Sequence, residues 1–229
     1  MAERTSRRPL SRERVLTAAI ALADAEGIQA LTMRRLAAEL GVEAMSLYHH
    51  LPGKEALLDG AVEAVVAEIG AAVAHPDADG DPHGWRLRLR RQFSAARQVM
   101  LRHPWAPALL GSRRSIPVAV FAYYDGILAT LVGAGFSYRI AHRALHAFGS
   151  LPLGFAQELF SPAAAGGSMD ADAAEADLAA LAEALPHLTA MVQSEMHAAT
   201  DPTLGWCDSQ TEFEFTIDLL LDGLERHRG

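Results

Sequence analysis

The most constraining feature of the sequence is a series of three short helical segments within its first 54 residues, each ended by glycine or by Pro-Gly. Apolar residues recur there at spacings of three and four, as they do on one face of a helix. Ser11 and Thr32 suit N-cap positions, and Gly27 and Gly41 suit helix ends. The helices are predicted at about residues 11–26, 32–40 and 43–51. A glycine break between the second and third helices is typical of a helix-turn-helix.

The remainder of the chain has the same helical spacing, which predicts an all-α fold. We expect a small head at residues 1–54 and a larger helical body at residues 55–229. The segment 75–84 is predicted to be a loop, and residues 161–177, which are small and acidic, a mobile linker. Further helices are predicted at about residues 54–74, 85–103, 116–132, 137–160, 178–199 and 209–226.

Charge is distributed unevenly between these two parts. The head carries eight basic and six acidic residues, a net charge of +2, whereas the rest of the chain carries 12 basic and 22 acidic residues, a net charge of −10. We therefore expect anion binding to be confined to the head.

Composition indicates a protein of the cytoplasm with no membrane partner. Residues 1–10 lack the apolar core of a secretory signal, and the single Cys207 cannot form an intramolecular disulfide. Residues 116–135 are the most apolar stretch, but Pro117, Asp125 and Gly126 interrupt it, which favours a buried core helix over a membrane span.

The third helix has the character of a helix that enters the DNA major groove. Leu47 is expected to point inward with Val42 and Leu51, and Lys54 at the start of the next helix suits a phosphate. The side chains left on the outside are Ala44, Met45, Ser46, Tyr48 and either His49 or His50. The alternative is a buried Tyr48 hydroxyl with solvated imidazoles. Because neighbouring residues on a helix point about 100° apart, His49 and His50 cannot chelate one metal.

The stretch "LTMRRLAAELGVEAMSLYHHLPGKEALLDG", residues 31–60, resembles the DNA-binding head of the tetracycline-repressor (TetR) family. It contains, in order, the Leu-Thr-x-Arg, Leu-Gly-Val, Leu-Tyr-x-His and Lys-x-x-Leu-Leu elements of that family. Residues 134–158 and 213–225 resemble the tetracycline-repressor type of body less closely. The resemblance implies a ligand-responsive transcriptional regulator, most often a repressor, and not an enzyme. Such a protein binds a palindromic operator as a homodimer and is released by a small molecule.

The resemblance also assigns roles to residues of the head. Arg34 matches a family arginine that reaches a guanine edge, and its alternative is a solvated surface arginine. Tyr48 and Lys54 match phosphate-contacting positions. The base-reading positions fall on Ala44, Met45 and Ser46, with Thr32 and His50 as additional DNA contacts.

In the family, two body helices of each subunit form a four-helix dimer interface, and by resemblance these are residues 137–160 and 209–226. An apolar stripe on the last helix supports this, although an internal core face would have the same spacing. The stripe consists of Phe213, Ile217, Leu220, Leu221 and Leu224.

The resemblance further implies an effector pocket in the body. Leu110 stands where tetracycline-binding members have a metal-binding histidine, although Glu158 matches a metal-associated glutamate. We therefore expect an effector more apolar than magnesium-tetracycline, and no metal or other cofactor. The candidate pocket residues are polar or aromatic groups within apolar helices. They are His103, Trp105, Arg113, Tyr124, His142, His146, Gln157 and Glu158.

A different class of function remains as the alternative. The i, i+4 spacing of His142 and His146 puts both imidazoles on one helical face, which with Glu158 suggests an all-helical metal-dependent enzyme. Against it, the segment "HRALH" lacks the glutamate of zinc hydrolases, and the chain has no nucleophile motif or glycine-rich phosphate loop.

Overall fold

The computed structural model describes residues 9–73, 84–113, 115–155, 182–195 and 209–228, and over these ranges it is helical without strands. This confirms the predicted all-α fold. In chain order the helices are α1 (Arg12–Glu26), α2 (Met33–Leu40), α3 (Ala44–Tyr48), α4 (Lys54–Val73), α5 (Gly84–Arg102), α6 (Ala106–Ser112), α7 (Val118–Gly133), α8 (Tyr138–Gly154), α9 (Pro186–Glu195) and α10 (Ser209–Glu225).

The first two helices begin and end within one residue of the predicted bounds. Ser11 Oγ accepts a hydrogen bond from the Arg14 backbone N–H at 3.2 Å, which caps α1. Gly41 has a φ of 65°, in the left-handed region that favours glycine. This conformation lets the Val42 N–H reach the Ala37 carbonyl at 3.0 Å, so α2 ends sharply and α3 follows within a few residues.

The chain divides into two compact units. The first comprises Met1–Ala78 and Gln98–Ala129, and the second comprises Asp79–Arg97 and Thr130–Gly229. The helices α1 to α4 and α6 therefore belong to the first unit, and α8 to α10 to the second. The division into residues 1–54 and 55–229 remains a prediction about the DNA-binding and effector-binding parts.

The first unit is built on close packing between α1 and α4. Gly60 faces Leu16, and a Cβ atom at residue 60 would lie 2.7 Å from Leu16 Cδ2, closer than van der Waals contact permits. The missing side chain at Gly60 therefore allows the two helices to approach. The buried apolar residues of the pair include Val15, Leu16, Ala19, Leu22, Leu57, Leu58, Ala61, Val62 and Val65.

The second unit has an aromatic core. Phe93 of α5 stacks on Phe148 of α8 with ring centroids 5.1 Å apart, and Trp85 meets Phe136 edge-on at 5.0 Å. Phe213, fully buried on α10, meets Phe155 edge-on at 5.3 Å. These contacts join α5, α8 and α10 around one hydrophobic centre.

The residues of the apolar stripe predicted on the last helix differ in their burial. Phe213, Ile217 and Leu221 are buried inside the second unit, so for these three residues the core alternative is correct. The exposed apolar side chains of α10 are Phe215 and Leu219, at 59% and 55% exposure. The sequence pattern missed them because they flank the core stripe at the same i, i+4 spacing.

Arginines of α5 pair with the acidic face of α10. Arg90 donates to Asp218 Oδ1 at 2.7 Å and to Glu214 Oε2 at 2.9 Å, and Arg86 pairs with Asp222. Burial lowers the pKa of Arg90, but the hydrogen bonds and charges of Glu214 and Asp218 outweigh it, so the pKa lies above its ordinary value. Part of the acidity of the body is thus neutralised internally.

Several helix boundaries differ from the sequence-based expectation: α3 ends at Tyr48 and not near residue 51, and α7 begins at Val118 and not near residue 116. Residues 182–185 were expected to be helical, but α9 begins at Pro186, because proline disfavours helical backbone in the preceding residue. The short helix α6 was not predicted. The predicted linker 161–177, and most of the loop 75–84, lie outside the described residues. Among the described helices, none combines the length and apolar character that a bilayer-spanning segment requires.

Candidate DNA-binding surface and effector site

The short helix α3 is anchored on one side and exposed on the other. Leu47 is fully buried and Leu51 nearly so, and the backbone N–H of Leu51 donates to the Leu47 carbonyl at 2.9 Å. Met45 is 71% exposed and Tyr48 is 45% exposed, so Tyr48 is not a core residue. The predicted outward set is also reached by solvent, with His49 exposed and Ala44, Ser46 and His50 half-buried.

Two adjacent arginines at the start of α2 have different environments. The Thr32 hydroxyl caps α2 by accepting from the Arg35 backbone N–H at 3.1 Å, while the Arg35 side chain donates to Glu26 Oε1 at 2.6 Å. The hydrogen bond to Glu26, with the charge of that carboxylate, raises the pKa of Arg35 above its ordinary value. Arg34 is exposed and forms no ion pair within the described ranges. Its guanidinium can therefore reach a ligand outside the chain.

The amino-terminal end of α4 provides a second cation. Lys54 is the first residue of the helix, is exposed, and has no ion-pair partner among the residues that the structure describes. The first-turn amides of a helix and its dipole favour an anion at this end. Arg34 and Lys54 thus lie in sequence on either side of the exposed helix α3.

Carboxylates near Lys54 are neutralised by an arginine from α6. Arg113 Nη2 lies 2.9 Å from Glu55 Oε2 and 2.6 Å from Asp59 Oδ1, and the Arg113 side chain is only 8% exposed. Because carboxylates in the first turns of α4 would repel a phosphate, this pairing preserves the anion preference of that end. Arg113 was predicted to contact an effector; in the structure its guanidinium is bound by α4.

His103 and Trp105, also predicted effector contacts, are buried in the first unit with their rings 5.7 Å apart. His103 Nδ1 lies 2.8 Å from Asp24 Oδ1 and Nε2 lies 2.9 Å from Glu68 Oε2. Trp105 Nε1 donates to the same Asp24 oxygen at 2.6 Å. We call Asp24, Glu68, Arg102, His103 and Trp105 the His103 cluster. Its polar ring atoms already have partners within the chain.

Sequence reasoning missed the carboxylates Asp24 and Glu68. Each is an isolated carboxylate between apolar neighbours of a helix, and nothing local shows whether it faces solvent or a partner. Their partner His103 is 79 and 35 residues away in sequence. The sequence around His103, which is followed by proline and tryptophan, indicates neither carboxylate.

The other predicted effector residues fall in different places. Tyr124 is half-buried in the first unit beside Tyr123, with ring centroids 5.8 Å apart. His142 and His146 are exposed on α8 in the second unit, with ring centroids 4.7 Å apart. Gln157 and Glu158 lie outside the described residues.

Within the described ranges, no three His, Cys, Asp or Glu side chains converge on a possible metal position. The two nitrogens of His103 face opposite sides of its ring and cannot bind one ion together. His142 and His146 supply two ligands, whereas catalytic zinc sites use three protein ligands and structural sites four.

Comparison with protein families accounts for both parts of the chain. Residues 15–61 match the family described as "Bacterial regulatory proteins, tetR family", and residues 76–228 match "Tetracyclin repressor-like, C-terminal domain". The chain belongs to the TetR family. The resemblance carried by residues 31–60 is confirmed.

Curated TetR-type relatives match over different lengths. The HTH-type transcriptional repressor DrrR1 of Streptomyces coeruleorubidus is 38% identical over 130 residues, which cover 54% of this chain and 45% of the relative. An HTH-type transcriptional regulator of Saccharopolyspora erythraea is 35% identical, over 56% of this chain and 51% of the relative. The match thus spans about half the length of these two relatives. The class C tetracycline repressor of Escherichia coli is 32% identical over 96% of this chain and 92% of the repressor.

Solved structures of TetR-family proteins share the fold. A possible TetR-family transcriptional regulator from Streptomyces coelicolor A3(2) superposes with a TM-score of 0.70 at 32% identity, over 94% of this chain and 99% of the other. ActR of Streptomyces coelicolor, in complex with (S)-DNPA, gives a TM-score of 0.69 at 25% identity, over 97% and 100% of the two chains. These comparisons give no support to the metal-dependent enzyme suggested by His142, His146 and Glu158.

Proposed function

We propose that this TetR-family chain is a DNA-binding transcriptional repressor that acts in the cytoplasm. It binds a palindromic operator as a homodimer, and a small molecule releases it. The observation that carries the proposal is the exposed face of α3, which is preceded and followed in the sequence by two exposed cations, Arg34 and Lys54, without an ion pair in the described part of the chain.

The roles in DNA binding follow from the chemistry of these side chains. Arg34 offers a planar fork of donors, which suits the O6 and N7 atoms of guanine. Lys54, at a helix amino terminus, suits a phosphate oxygen, as does the Tyr48 hydroxyl. Met45 and Ala44 offer apolar contact to a thymine methyl, and Ser46 offers a short hydroxyl. Additional DNA contacts, at the periphery of this surface, are proposed for Thr32, His49 and His50.

Dimerisation is proposed through the exposed apolar side chains of α8 and α10. One helix of this length reads few base pairs, so specificity requires two heads about 34 Å apart on successive major grooves. The exposed apolar positions that support this surface are Tyr138 and Leu153 on α8 and Phe215 and Leu219 on α10. Large side chains of this kind are rarely left in contact with water in a continuous patch.

The effector is proposed to be a mainly apolar or aromatic molecule. ActR, a structural neighbour, was solved with the organic ligand (S)-DNPA. Leu110 at the position of a metal-binding histidine argues against magnesium-tetracycline. The proposed effector contacts are Tyr124, His142, His146, Gln157 and Glu158. His103, Trp105 and Arg113 could join them only by giving up their hydrogen-bond partners within the chain for the ligand.

The proposal is tested by selecting bound duplexes from a random DNA library with the purified full-length protein. We expect enrichment of a palindrome whose half-sites are separated by about one helical turn, roughly 10 base pairs. A matching site in the DNA that flanks its own gene would then be footprinted. Failure to enrich any sequence, at low as well as moderate salt, would contradict the proposal.

A further inference from the structure

We propose that His103 is held as an imidazolium that fastens α1 to α4, and that this fastening makes operator binding weaken as the pH becomes alkaline. The proposal goes beyond the effector response and depends on DNA binding only for its last step. The fastening itself can be measured without DNA.

The first observation is geometric. Both ring nitrogens of His103 are within hydrogen-bond distance of carboxylate oxygens, 2.8 Å for Asp24 on α1 and 2.9 Å for Glu68 on α4. The His103 side chain is 9% exposed, so water does not easily replace either partner. One imidazole ring therefore bridges two helices, one of which belongs to the DNA-binding head.

The second observation concerns donors and acceptors. An ionised carboxylate only accepts hydrogen bonds, whereas a neutral imidazole has one N–H donor and one acceptor nitrogen. Between two carboxylates, a neutral His103 would direct a nitrogen lone pair at a carboxylate oxygen. Only the doubly protonated ring satisfies both contacts, so the geometry selects the charged form.

The third observation is the balance of charge around the ring. Two carboxylates face His103, Asp24 from α1 and Glu68 from α4. Arg102, the last residue of α5, donates to Glu68 Oε1 from Nε at 3.0 Å and from Nη2 at 2.6 Å. Trp105 donates a neutral N–H to Asp24. With the imidazolium the cluster is neutral, and without it one negative charge is left uncompensated beside buried rings.

The pKa of each group agrees with this arrangement. Burial lowers the pKa of His103, but hydrogen bonds to Asp24 and Glu68 and the charges of both outweigh it, so the pKa lies above its ordinary 6.5. For Glu68, burial raises the pKa, but His103 and Arg102 lower it below its ordinary 4.5. The stability from His103 is complete below pH 6.5 and is lost as the pH rises through the higher folded value. The stability from Glu68 is lost only as the pH falls below 4.5.

The consequence for DNA follows from the position of α1. When His103 loses its proton, α1 loses its buried ionic link to α4 and keeps only apolar packing and the exposed Arg12–Glu63 pair, so more conformations of the head become populated. A protein whose binding-competent form is only partly populated has its apparent affinity reduced by that fraction. Operator affinity is therefore expected to fall as the pH rises above 6.5 and through the raised pKa of His103.

The first test is ¹⁵N NMR of the histidine rings in the full-length protein without DNA. We expect one ring to keep both nitrogens protonated above pH 6.5, where a free imidazole is already half neutral, and we expect this signal to be absent from His103→Gln. His187→Gln, which changes an exposed histidine of α9, should retain it. A His103 ring that is mostly neutral at pH 6.5 would overturn the inference.

The second test uses Glu68→Gln, because His103→Gln might unfold. A glutamine amide can donate to a neutral ring nitrogen or accept from a protonated one, so this variant should hold α1 equally at either charge of His103. We expect amide-exchange protection factors of α1 to fall from pH 7 to pH 9 in the wild type and to stay level in Glu68→Gln. Equal pH dependence in the two proteins would contradict the proposal.

The third test is operator affinity of the same two proteins over the same pH range. The wild type should lose affinity relative to Glu68→Gln by up to about tenfold per pH unit for each linked proton, and the proposed dimer has one such proton in each subunit. If the operator affinity of both proteins changed equally with pH, the proposed effect of the α1 fastening on DNA binding would be refuted. If neither protein bound any duplex, the proposed function would fail, whereas the fastening would still be judged by the two DNA-free measurements.

Discussion

Arg113 at the end of α6 donates from Nε to Asp59 Oδ1 of α4 at 2.8 Å, and its guanidinium also reaches Glu55 in the first turn of α4. Arg12 forms a simpler pair with Glu63 of α4, in which both side chains are about half-exposed. Three carboxylates of α4 thus bind arginines from two different helices. The two arginines differ in burial and in the number of carboxylates that they bind, two for Arg113 and one for Arg12.

The energetic weight of Arg113 can be measured against that of Arg12. We expect Arg113→Met to lower the free energy of unfolding by about 1–3 kcal/mol, because two carboxylates lose a buried donor. We expect Arg12→Met to cost no more than about 1 kcal/mol, since exposed ion pairs contribute little. Urea denaturation of both variants provides the comparison, and equal losses would show that burial of Arg113 is irrelevant.

Arg34 and Lys54 should affect DNA binding in different ways. We expect Arg34→Ala to lose about 1–3 kcal/mol of discrimination at one base pair of each half-site, because a bidentate guanine contact is removed. Fluorescence anisotropy with a set of single-base operator variants measures this. If Arg34→Ala ranked the variants as the wild type does, the base-reading role would be wrong.

Lys54→Ala should weaken binding to all duplexes alike. Removing one phosphate contact from each subunit should reduce the slope of log K against log salt by about one per contact. Arg226→Ala is the control, because Arg226 is an exposed cation that follows α10 in the second unit. An unchanged salt slope in Lys54→Ala would exclude the phosphate contact.

Exposed apolar residues of α10 should determine the oligomeric state. We expect Leu219→Asp to shift the protein toward monomer in sedimentation experiments, because a charge would enter a water-excluding interface. Leu87→Asp is the matched control, since Leu87 is also an exposed leucine of the second unit but lies on α5. Dissociation by both substitutions, or by neither, would contradict an interface at α8 and α10.

Two glycines of α4 should respond oppositely to alanine. Gly70 has open space where a Cβ would lie, so Gly70→Ala should stabilise the protein by up to about 1 kcal/mol through helix propensity. In Gly60→Ala the new methyl group would displace Leu16, and over-packing typically costs about 1–3 kcal/mol. Thermal unfolding should therefore separate the two variants in sign, and equal gains would disprove close approach at Gly60.

Local sequence signals predicted much of the fold. The caps at Ser11 and Thr32 and the left-handed Gly41 are determined by interactions within four or five residues, which a linear pattern contains. The inward position of Leu47 follows equally from helical spacing. For the same reason helical spacing also identifies the exposed residues of α3.

Long-range pairing could not be predicted. Nothing near His103 in sequence indicates Asp24, and nothing near Arg113 indicates Asp59. A carboxylate on an amphipathic helix has the same pattern whether it meets water or a partner from another helix. Likewise, the pattern of α10 could not separate Ile217, which is buried, from Leu219, which is exposed, because adjacent apolar stripes differ only in what packs on them.

The environments of Arg34 and Arg35 have a wider consequence. Arg12 and Arg35 form ion pairs with Glu63 and Glu26. The number of arginines therefore overstates the attraction of residues 1–54 for a polyanion. Arg34 and Lys54, which come before and after α3 in the sequence, have no ion pair in the described part of the chain. Of two identical neighbours, Arg35 thus joins α2 to the end of α1, and Arg34 stays available for the base contact that we propose. Exchanging their two environments would leave the composition unchanged and would remove the arginine proposed to read a base.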